Sequence, residues 1–282
     1  MALRPEPPFP IDQLPGLDRL RQALLSAERA TGLVSSCNPA LAIGIPVIDS
    51  ALGGGLACGT LHEIAAARES ETAAATGFAL ALAVRNGRKS RRGSSGSPEQ
   101  ISPIPQTVLW IAEDLSLGEN GQLYGPGLDQ AGIAPEYLIA VSAPRVRDVL
   151  WAMEEALCCR ALGVVIAEIR ARGIEHVTTR RLSLAAAAGN TLGFLLRTQP
   201  DDEPSACATR WMLAAAPSDF PSPRFHYIGP PRWTVHLTRN RRGHPGTWIV
   251  EWKSVEQRFE LAKNSQPVAG PTLDRPYRTT AA

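Results

Sequence analysis

Residues 61–83 carry the clearest chemical signal in the chain, because they have the outline of a phosphate-binding loop. Residues 61–65 are an apolar run typical of a buried strand, and an alanine-rich helix is predicted from about residue 73 to residue 84. A strand, a short turn and a helix are the context that such a loop requires. A working loop holds phosphates with backbone N–H groups and adds a lysine and a hydroxyl for the terminal phosphates and the metal ion.

The side chains of this loop do not match that chemistry. Glu71, Thr72 and Ala73 stand where Gly-Lys-Ser/Thr is expected, and Glu69 adds a second negative charge near the phosphate position. Arg68 is the one cation within the loop, although a helix N-terminus still attracts anions and leaves weak ATP binding open. We therefore predict no catalytic residue, no cofactor and no metal site. The positions of the degenerate loop are Ala66, Arg68, Ser70, Thr72 and Ala73.

Two more apolar runs end in a glutamate. Val108–Glu113 and residues 163–168 are continuous apolar stretches, as expected for parallel strands that are covered on both faces. A carboxylate at a strand end can hold magnesium. Because the loop lacks the partner groups for such an ion, we interpret Glu113 and Glu168 as eroded acidic positions.

Strand and helix patterns alternate through the middle of the chain. A helix is predicted to begin after Ser142, its N-cap, with an apolar face from Val146 to Leu157. A second helix is predicted at residues 178–188, and a strand follows at residues 191–197. Such repeats form right-handed crossovers around a parallel sheet. Strands at residues 211–216, 233–238 and 247–252 are separated by turns and predict an antiparallel extension. The predicted fold class is α/β, with a central, mostly parallel sheet flanked by helices, antiparallel strands at the C-terminal end and an N-terminal helix.

Composition divides the chain into three regions. Residues 1–32 hold a proline-rich segment and a helix, residues 33–252 form the core, and residues 253–282 form a tail with a short helix at residues 255–262. Within the core, residues 85–106 predict a flexible basic loop, which is either solvated or a flap for nucleic acid or an acidic partner. The N-terminal helix has an apolar stripe that either packs on the core or binds a partner. The stripe consists of Leu17, Leu20 and Leu24.

Arginines supply the other candidate contacts. Arg239, Arg241 and Arg242 lie in a predicted turn, where guanidinium groups suit carboxylates or phosphates. Arg170 and Arg172 follow the strand at residues 163–168. Each group is either a solvated surface or a contact with a partner or DNA. The net charge of +2 does not by itself indicate nucleic-acid binding, since that needs charge clustered on one face.

Composition also limits the compartment and the chemistry. The five cysteines include no C-x-x-C pair and predict reduced thiols, and the five histidines show no metal-ligand spacing. No apolar targeting segment or membrane-spanning run is present, so we expect a cytoplasmic protein without membrane contact. The six tryptophans fall on predicted core elements, and we expect them to pack there.

The order of these motifs resembles the RecA recombinase family. Residues 44–64 and residues 235–245 (VHLTRNRRGHP) are similar to its core signature and to its C-terminal strand and turn. The resemblance implies that Glu113 stands at the catalytic glutamate position and that Ala167 takes the place of the magnesium-binding aspartate. It also implies that Arg239 and Arg241 stand where family members place lysines that reach a neighbouring subunit.

One branch of that superfamily, ImuA, is the better match. Residues 179–197, 209–217 and 230–252 resemble it, and the likeness covers roughly residues 14–252. It implies an adaptor in SOS-induced translesion DNA synthesis and mutagenesis after DNA damage. Its partners would be ImuB, an inactive relative of Y-family polymerases, and an error-prone DNA polymerase III α-subunit. RecA contact, weak DNA binding and self-association stay open.

Two other functions fit parts of the sequence. A divergent DNA-stimulated ATPase would use Arg68 as the loop cation and Glu113 as the catalytic carboxylate. A RecA-like SOS inhibitor of cell division would use the scaffold without acting on DNA. That branch is shorter and is expected to lack the block at residues 230–252, which this chain has.

Overall fold

The structure is a computed structural model, which describes residues 40–92, 107–170, 172–200, 203–218 and 229–262. Its helices are α1 (Pro46–Ala51), α2 (Thr72–Arg92), α3 (Asp114–Asn120), α4 (Gly125–Ala131), α5 (Val146–Leu157) and α6 (His176–Gly189). Its strands are β1 (Ala40–Leu41), β2 (Leu56–Ala57), β3 (Leu61–Ala66), β4 (Val108–Glu113), β5 (Leu138–Ala143), β6 (Val164–Ile169), β7 (Leu192–Arg197), β8 (Thr209–Ala215), β9 (Arg232–Asn240), β10 (Gly246–Lys253) and β11 (Arg258–Leu261). Helices and strands are interspersed as far as β7, and strands alone follow among the described residues.

A nine-stranded sheet organises these elements, in the order β11-β10-β9-β8-β3-β7-β6-β4-β5. The six strands from β8 to β5 are parallel to one another. Strands β9, β10 and β11 extend the sheet in antiparallel pairs. The predicted α/β class, with a mostly parallel sheet and antiparallel strands at its C-terminal end, is therefore confirmed. The predicted N-terminal helix lies outside the described residues.

The central parallel strands are buried along their whole length. Every residue of β3, β4, β6 and β7 is buried, because helices cover both faces of the sheet. On one face α2 contributes Phe78 and Leu82 to a buried cluster that also contains Trp110. On the other face α5 and α6 contribute Met153 and Leu182. Full burial of such a side chain contributes about 1.5–3 kcal/mol, so the two clusters hold the strand ends at the edge of the sheet in place.

The antiparallel extension shares its core with helix α2. The ring centroid of Phe259 on β11 lies 5.5 Å from that of Phe78 and 4.8 Å from that of Trp252. Phe78 also meets Trp233 edge-on at 5.8 Å. These contacts join β9, β10 and β11 to the parallel core as a single packed unit.

Two predictions about the C-terminal region are corrected. Residues 255–262 do not form a helix, because they make a turn followed by β11, which pairs with β10. The turn includes Gln257 at a φ of 48°, a left-handed conformation that no helix contains. The folded unit therefore extends to Ala262, and the predicted boundary between core and tail at residue 252 is wrong.

Three further local predictions differ from the structure. Helix α2 continues to Arg92, so the first part of the predicted loop at residues 85–106 is helical, and residues 93–106 lie outside the described residues. Ser142 belongs to β5 and donates its hydroxyl to Asp114, while Arg145 occupies the N-cap position of α5. Helices α3 and α4 had no counterpart in the sequence prediction.

None of the helices within the described ranges has the length and hydropathy needed to cross a membrane.

Candidate functional site

The loop after β3 is folded tightly by its own backbone and by β8. Arg68 is extended, a 3₁₀ turn covers Glu69–Glu71, and α2 begins at Thr72. The Thr72 hydroxyl donates to the Glu69 carbonyl at 2.7 Å, and the Glu71 N–H donates to the Arg68 carbonyl at 2.9 Å. The Ala67 N–H donates to a β8 carbonyl at 2.7 Å. These groups of the degenerate loop are therefore engaged within the protein.

Arg170 lies at the centre of a charged network at the carboxyl edge of the parallel strands. Its guanidinium contacts the carboxylates of Glu69, in the loop, and Glu119, on α3. The Gln199 side chain, beyond β7, donates to the same Glu69 carboxylate at 3.2 Å. The Arg170 backbone N–H donates to Glu113 Oε1 at 3.0 Å. We call these five residues the Arg170 network.

The acidic positions Glu113 and Glu168 lie on neighbouring strands and are both buried. Glu113 ends β4 and is 8% exposed, and Glu168 on β6 is 6% exposed. The Ser116 hydroxyl on α3 donates to Glu168 Oε1. Because Glu113 accepts the Arg170 N–H and Glu168 accepts the Ser116 hydroxyl, each carboxylate is held by a bond within the protein. The structure thus brings together three of the positions that were singled out from the sequence: the loop, Glu113 and Glu168.

The basic turn at residues 239–245 lies at the opposite end of the parallel strands. Asn240 donates its side-chain amide to the Ala51 carbonyl at the end of α1, at 2.8 Å. A Cβ on Gly243 would lie 2.0 Å from that same carbonyl, so only glycine fits this approach. Arg239 donates to the Ser205 carbonyl at 2.5 Å, whereas Arg241 and Arg242 are exposed residues of the turn. The turn is rigidly seated and presents two guanidinium groups to solvent.

A buried polar cluster lies under the start of β3. His62 is 1% exposed, and its ring nitrogens contact Thr209 at 2.7 Å and Thr60 at 2.9 Å. Burial lowers the pKa of His62 to about 4, so the ring is neutral at physiological pH. Burial also raises the pKa of the Cys207 thiol to about 12, with the Glu63 carboxylate adding to the effect. Neither group is poised for proton transfer or nucleophilic attack near neutral pH.

The described residues contain no cluster of side chains that could bind a metal ion. No group of three or more histidine, cysteine, aspartate or glutamate residues there has a geometry that could hold an ion. Arg172 is exposed near the Arg170 network, and Leu17, Leu20 and Leu24 lie outside the described residues. The predicted contacts of Arg172 and of the leucine stripe with a partner stay predictions.

Comparison with known proteins decides the family. The chain is 33% identical over 225 residues to protein ImuA of Caulobacter vibrioides, from strains NA1000 / CB15N and CB 15. The match covers 76% of this chain and 83% of the relative. The chain belongs to the ImuA family.

Two other comparisons accompany this ImuA assignment. No family model matches the chain. Among solved structures, the crystal structure of the RadB recombinase is similar, with a TM-score of 0.49 and 16% identity, over 79% of this chain and 100% of the other.

The loop, Glu113, Glu168 and Arg170 were predicted candidates, but the contacts that link them were not predicted. Arg170 was predicted to contact DNA or a partner, yet its guanidinium contacts two carboxylates, and its side chain is only 21% exposed. Glu119 and Ser116 were not predicted at all, because they lie on the unpredicted helix α3. One signal was available: an arginine directly follows β6, and the predicted strand at residues 108–113 ends in Glu113.

Proposed function

We propose that this ImuA-family chain is a non-catalytic, RecA-like accessory protein in SOS-induced translesion DNA synthesis and mutagenesis. The observation that carries the non-catalytic part is the Arg170 network. In a nucleotide-hydrolysing site, a cationic loop holds the phosphates, and carboxylates are left to bind magnesium and to activate water. Here the loop carries the acid, Glu69, and the cation comes from Arg170 on the far side of the site. The Arg170 guanidinium is engaged by two carboxylates of the protein, and the Glu113 carboxylate accepts the Arg170 N–H, so these groups are already occupied where a triphosphate and its metal would need them.

The proposed role is to present surfaces to the other proteins of the mutagenesis cassette. ImuB and an error-prone polymerase III α-subunit are the proposed partners, in the cytoplasm, with RecA and DNA as weaker candidates. The described surface best suited to an acidic or phosphate-bearing partner is the basic turn, because Asn240 and Gly243 fix it on α1 while Arg241 and Arg242 stay exposed. A rigid scaffold that displays such groups needs no cofactor.

Co-purification tests this role most directly. The tagged chain and its presumed ImuB partner would be co-expressed, and we expect a stable complex with the intact chain. The double substitution of Arg241 and Arg242 by Glu and, separately, Leu20→Glu would map the contact. A shortened chain should end after Ala262, because an end at Trp252 would remove the core strand β11. Failure of the intact chain to form a complex with either cassette partner would contradict the proposal.

The ATPase alternative requires Glu113 to be a catalytic residue, whereas the proposed function does not. If Glu113 activates water, Glu113→Gln abolishes damage-induced mutagenesis in cells. If Glu113 only accepts the Arg170 N–H, glutamine retains an acceptor oxygen, and we expect mutagenesis within about twofold of the wild-type level. The substitution is conservative in size, so folding is preserved, and the comparison separates chemistry from structure.

A further inference from the structure

The outer face of helices α5 and α6 presents an unusual amount of apolar surface. Trp151 on α5 is 64% exposed, the one described tryptophan that is mostly in solvent. The expectation that all six tryptophans pack in the core is therefore wrong for Trp151. Val177 and Leu184 on α6 are each 63% exposed. Tryptophan is the side chain most enriched at the energetic centres of protein interfaces, so this face has the composition of a binding surface.

Opposite charges flank Trp151 along its helix. Arg147, Trp151 and Glu155 are spaced by four residues, so they form a line along one side of α5, about 6 Å apart along the axis. All three are exposed. The line therefore runs from a positive group, through an aromatic ring, to a negative group.

Helix α6 widens this surface. Arg181 on α6 donates to both carboxylate oxygens of Glu154 on α5, at 2.7 Å and 3.2 Å. The pair bridges the two helices at the surface. Val177, Arg181 and Leu184 follow helical spacing, so the two exposed aliphatic side chains lie on the same side of α6 as the ion pair. Together, α5 and α6 form one continuous exposed face.

We propose that the α5–α6 face is a two-fold self-association surface that binds a second copy of this chain. A two-fold axis through Trp151 places α5 antiparallel to α5 of the second copy. Trp151 then meets Trp151 of the second copy, and Arg147 of each copy lies opposite Glu155 of the other. The charge pattern is complementary to itself only in this orientation, which is the requirement for an isologous interface. A parallel arrangement would set like charges against each other.

The size of the face predicts a weak dimer. Helices of 12 and 14 residues are about 18 Å and 21 Å long, and neighbouring helices lie about 10 Å apart. The face therefore offers roughly 400–600 Å² per copy, or about 1,000 Å² in the pair, at the low end of specific interfaces. We expect a dissociation constant in the micromolar range. The inference is independent of the proposed function, because it concerns neither the cassette partners nor the Arg170 network.

Sedimentation velocity of the purified full-length chain at concentrations from about 2 to about 200 μM tests the proposal. The wild-type chain is compared with variants in which Trp151 is replaced or the charges of Arg147 and Glu155 are reversed. We expect a concentration-dependent dimer that Trp151→Glu weakens by at least tenfold. Arg147→Glu and Glu155→Arg alone should also weaken it, because each replaces two ion pairs by two like-charge contacts. The double variant Arg147→Glu/Glu155→Arg restores both pairs and should return the dissociation constant to within about threefold of wild type.

Controls distinguish this face from others. Val255→Glu introduces the same charge at a residue that is 94% exposed elsewhere, and it should leave the dimer intact. A chain that stays monomeric at 200 μM would overturn the proposal. A dimer that is lost in Leu20→Glu but kept in Trp151→Glu would overturn it as well, since the N-terminal helix would then be the interface. Binding of Trp151 to DNA or to another protein, without any dimer, is a third result that would overturn it.

Discussion

At the residue scale, Arg170 is the central residue of the charged network at the carboxyl edge of the parallel strands. Its guanidinium contacts Glu69 and Glu119, and its backbone N–H binds Glu113. One residue thus connects the loop after β3, the end of β4 and helix α3. In this account the arginine supplies, from inside the protein, the positive charge that an acidic loop requires.

Arg170→Ala should lower the free energy of unfolding by about 1 kcal/mol, because it leaves two carboxylates without their cation in a partly buried site. Urea denaturation measures this loss, and 1 M salt should reduce it by screening the two carboxylates. Arg145→Ala is the matched control, since Arg145 pairs with one carboxylate on an exposed surface and should cost less than about 0.5 kcal/mol. Equal losses in the two variants would contradict a central role for Arg170.

His62 makes stability depend on pH. Its pKa is about 4 in the folded protein and about 6.5 in the unfolded chain, so the unfolded chain binds a proton first as the pH falls. The stability that neutral His62 contributes is therefore complete above pH 6.5 and is lost as the pH falls towards 4. Between pH 7 and pH 5 the loss should be about 2 kcal/mol.

Urea denaturation at pH 7 and pH 5 measures this dependence. His62→Gln should have a lower free energy of unfolding than wild type at pH 7. The decrease in that free energy from pH 7 to pH 5 should be about 2 kcal/mol smaller in the variant than in wild type. His236→Gln, on the partly exposed side of β9, should keep the wild-type dependence. A pH dependence unchanged by His62→Gln would show that the buried ring is not its source.

At the element scale, strands that consist of a continuous apolar run could be predicted from the sequence. Elements that are stabilised by contacts with residues far away in the chain could not. Residues 108–113 were predicted as a strand with the observed bounds of β4, because a continuous apolar run between polar residues specifies a buried parallel strand. Helix α3 is short and contains Gly118, so its local pattern is weak. Hydrogen bonds from Ser116 to Glu168 and from Ser142 to Asp114 hold it in place instead.

β11 is the clearest case of distant contacts overriding local preference. Residues 255–262 have an acceptable helical composition. They form a strand instead, because the strand pairs with β10 and places Phe259 among Phe78, Trp233 and Trp252.

The same limit applies to the candidate site. Its positions could be predicted from spacing, but the contacts of Arg170 depend on how β3, β6 and α3 meet in space.

The position of β11 predicts two different truncation results. A chain that ends after Ala262 should keep the wild-type melting temperature, whereas a chain that ends after Trp252 should lose cooperative unfolding. Phe259→Ala should cost about 3–5 kcal/mol, because Phe259 is 3% exposed in an aromatic cluster. Leu261→Ala, at a residue that is 47% exposed, is the control and should cost less than about 1 kcal/mol. Calorimetry that finds equal stability for the two shortened chains would contradict this assignment.

At the scale of the whole molecule, the Arg170 network and the basic turn lie at opposite ends of the parallel strands. The Arg170 network engages the charged side chains at the carboxyl edge with one another. Among the described residues, the basic turn and the α5–α6 face are the proposed surfaces for contact. This distribution fits a protein that works by binding other proteins, and a two-fold dimer would double every such surface and raise its effective concentration for a partner.

The most direct test of the central claim is an ATP turnover assay of the purified full-length chain with magnesium, with and without single-stranded DNA. Glu113→Gln is the matched control, because it removes only the carboxylate that hydrolysis would need. We predict that wild type and Glu113→Gln give the same background rate under both conditions. DNA-stimulated turnover in wild type that Glu113→Gln abolishes would contradict the account, because the carboxylates of the Arg170 network would then be catalytic.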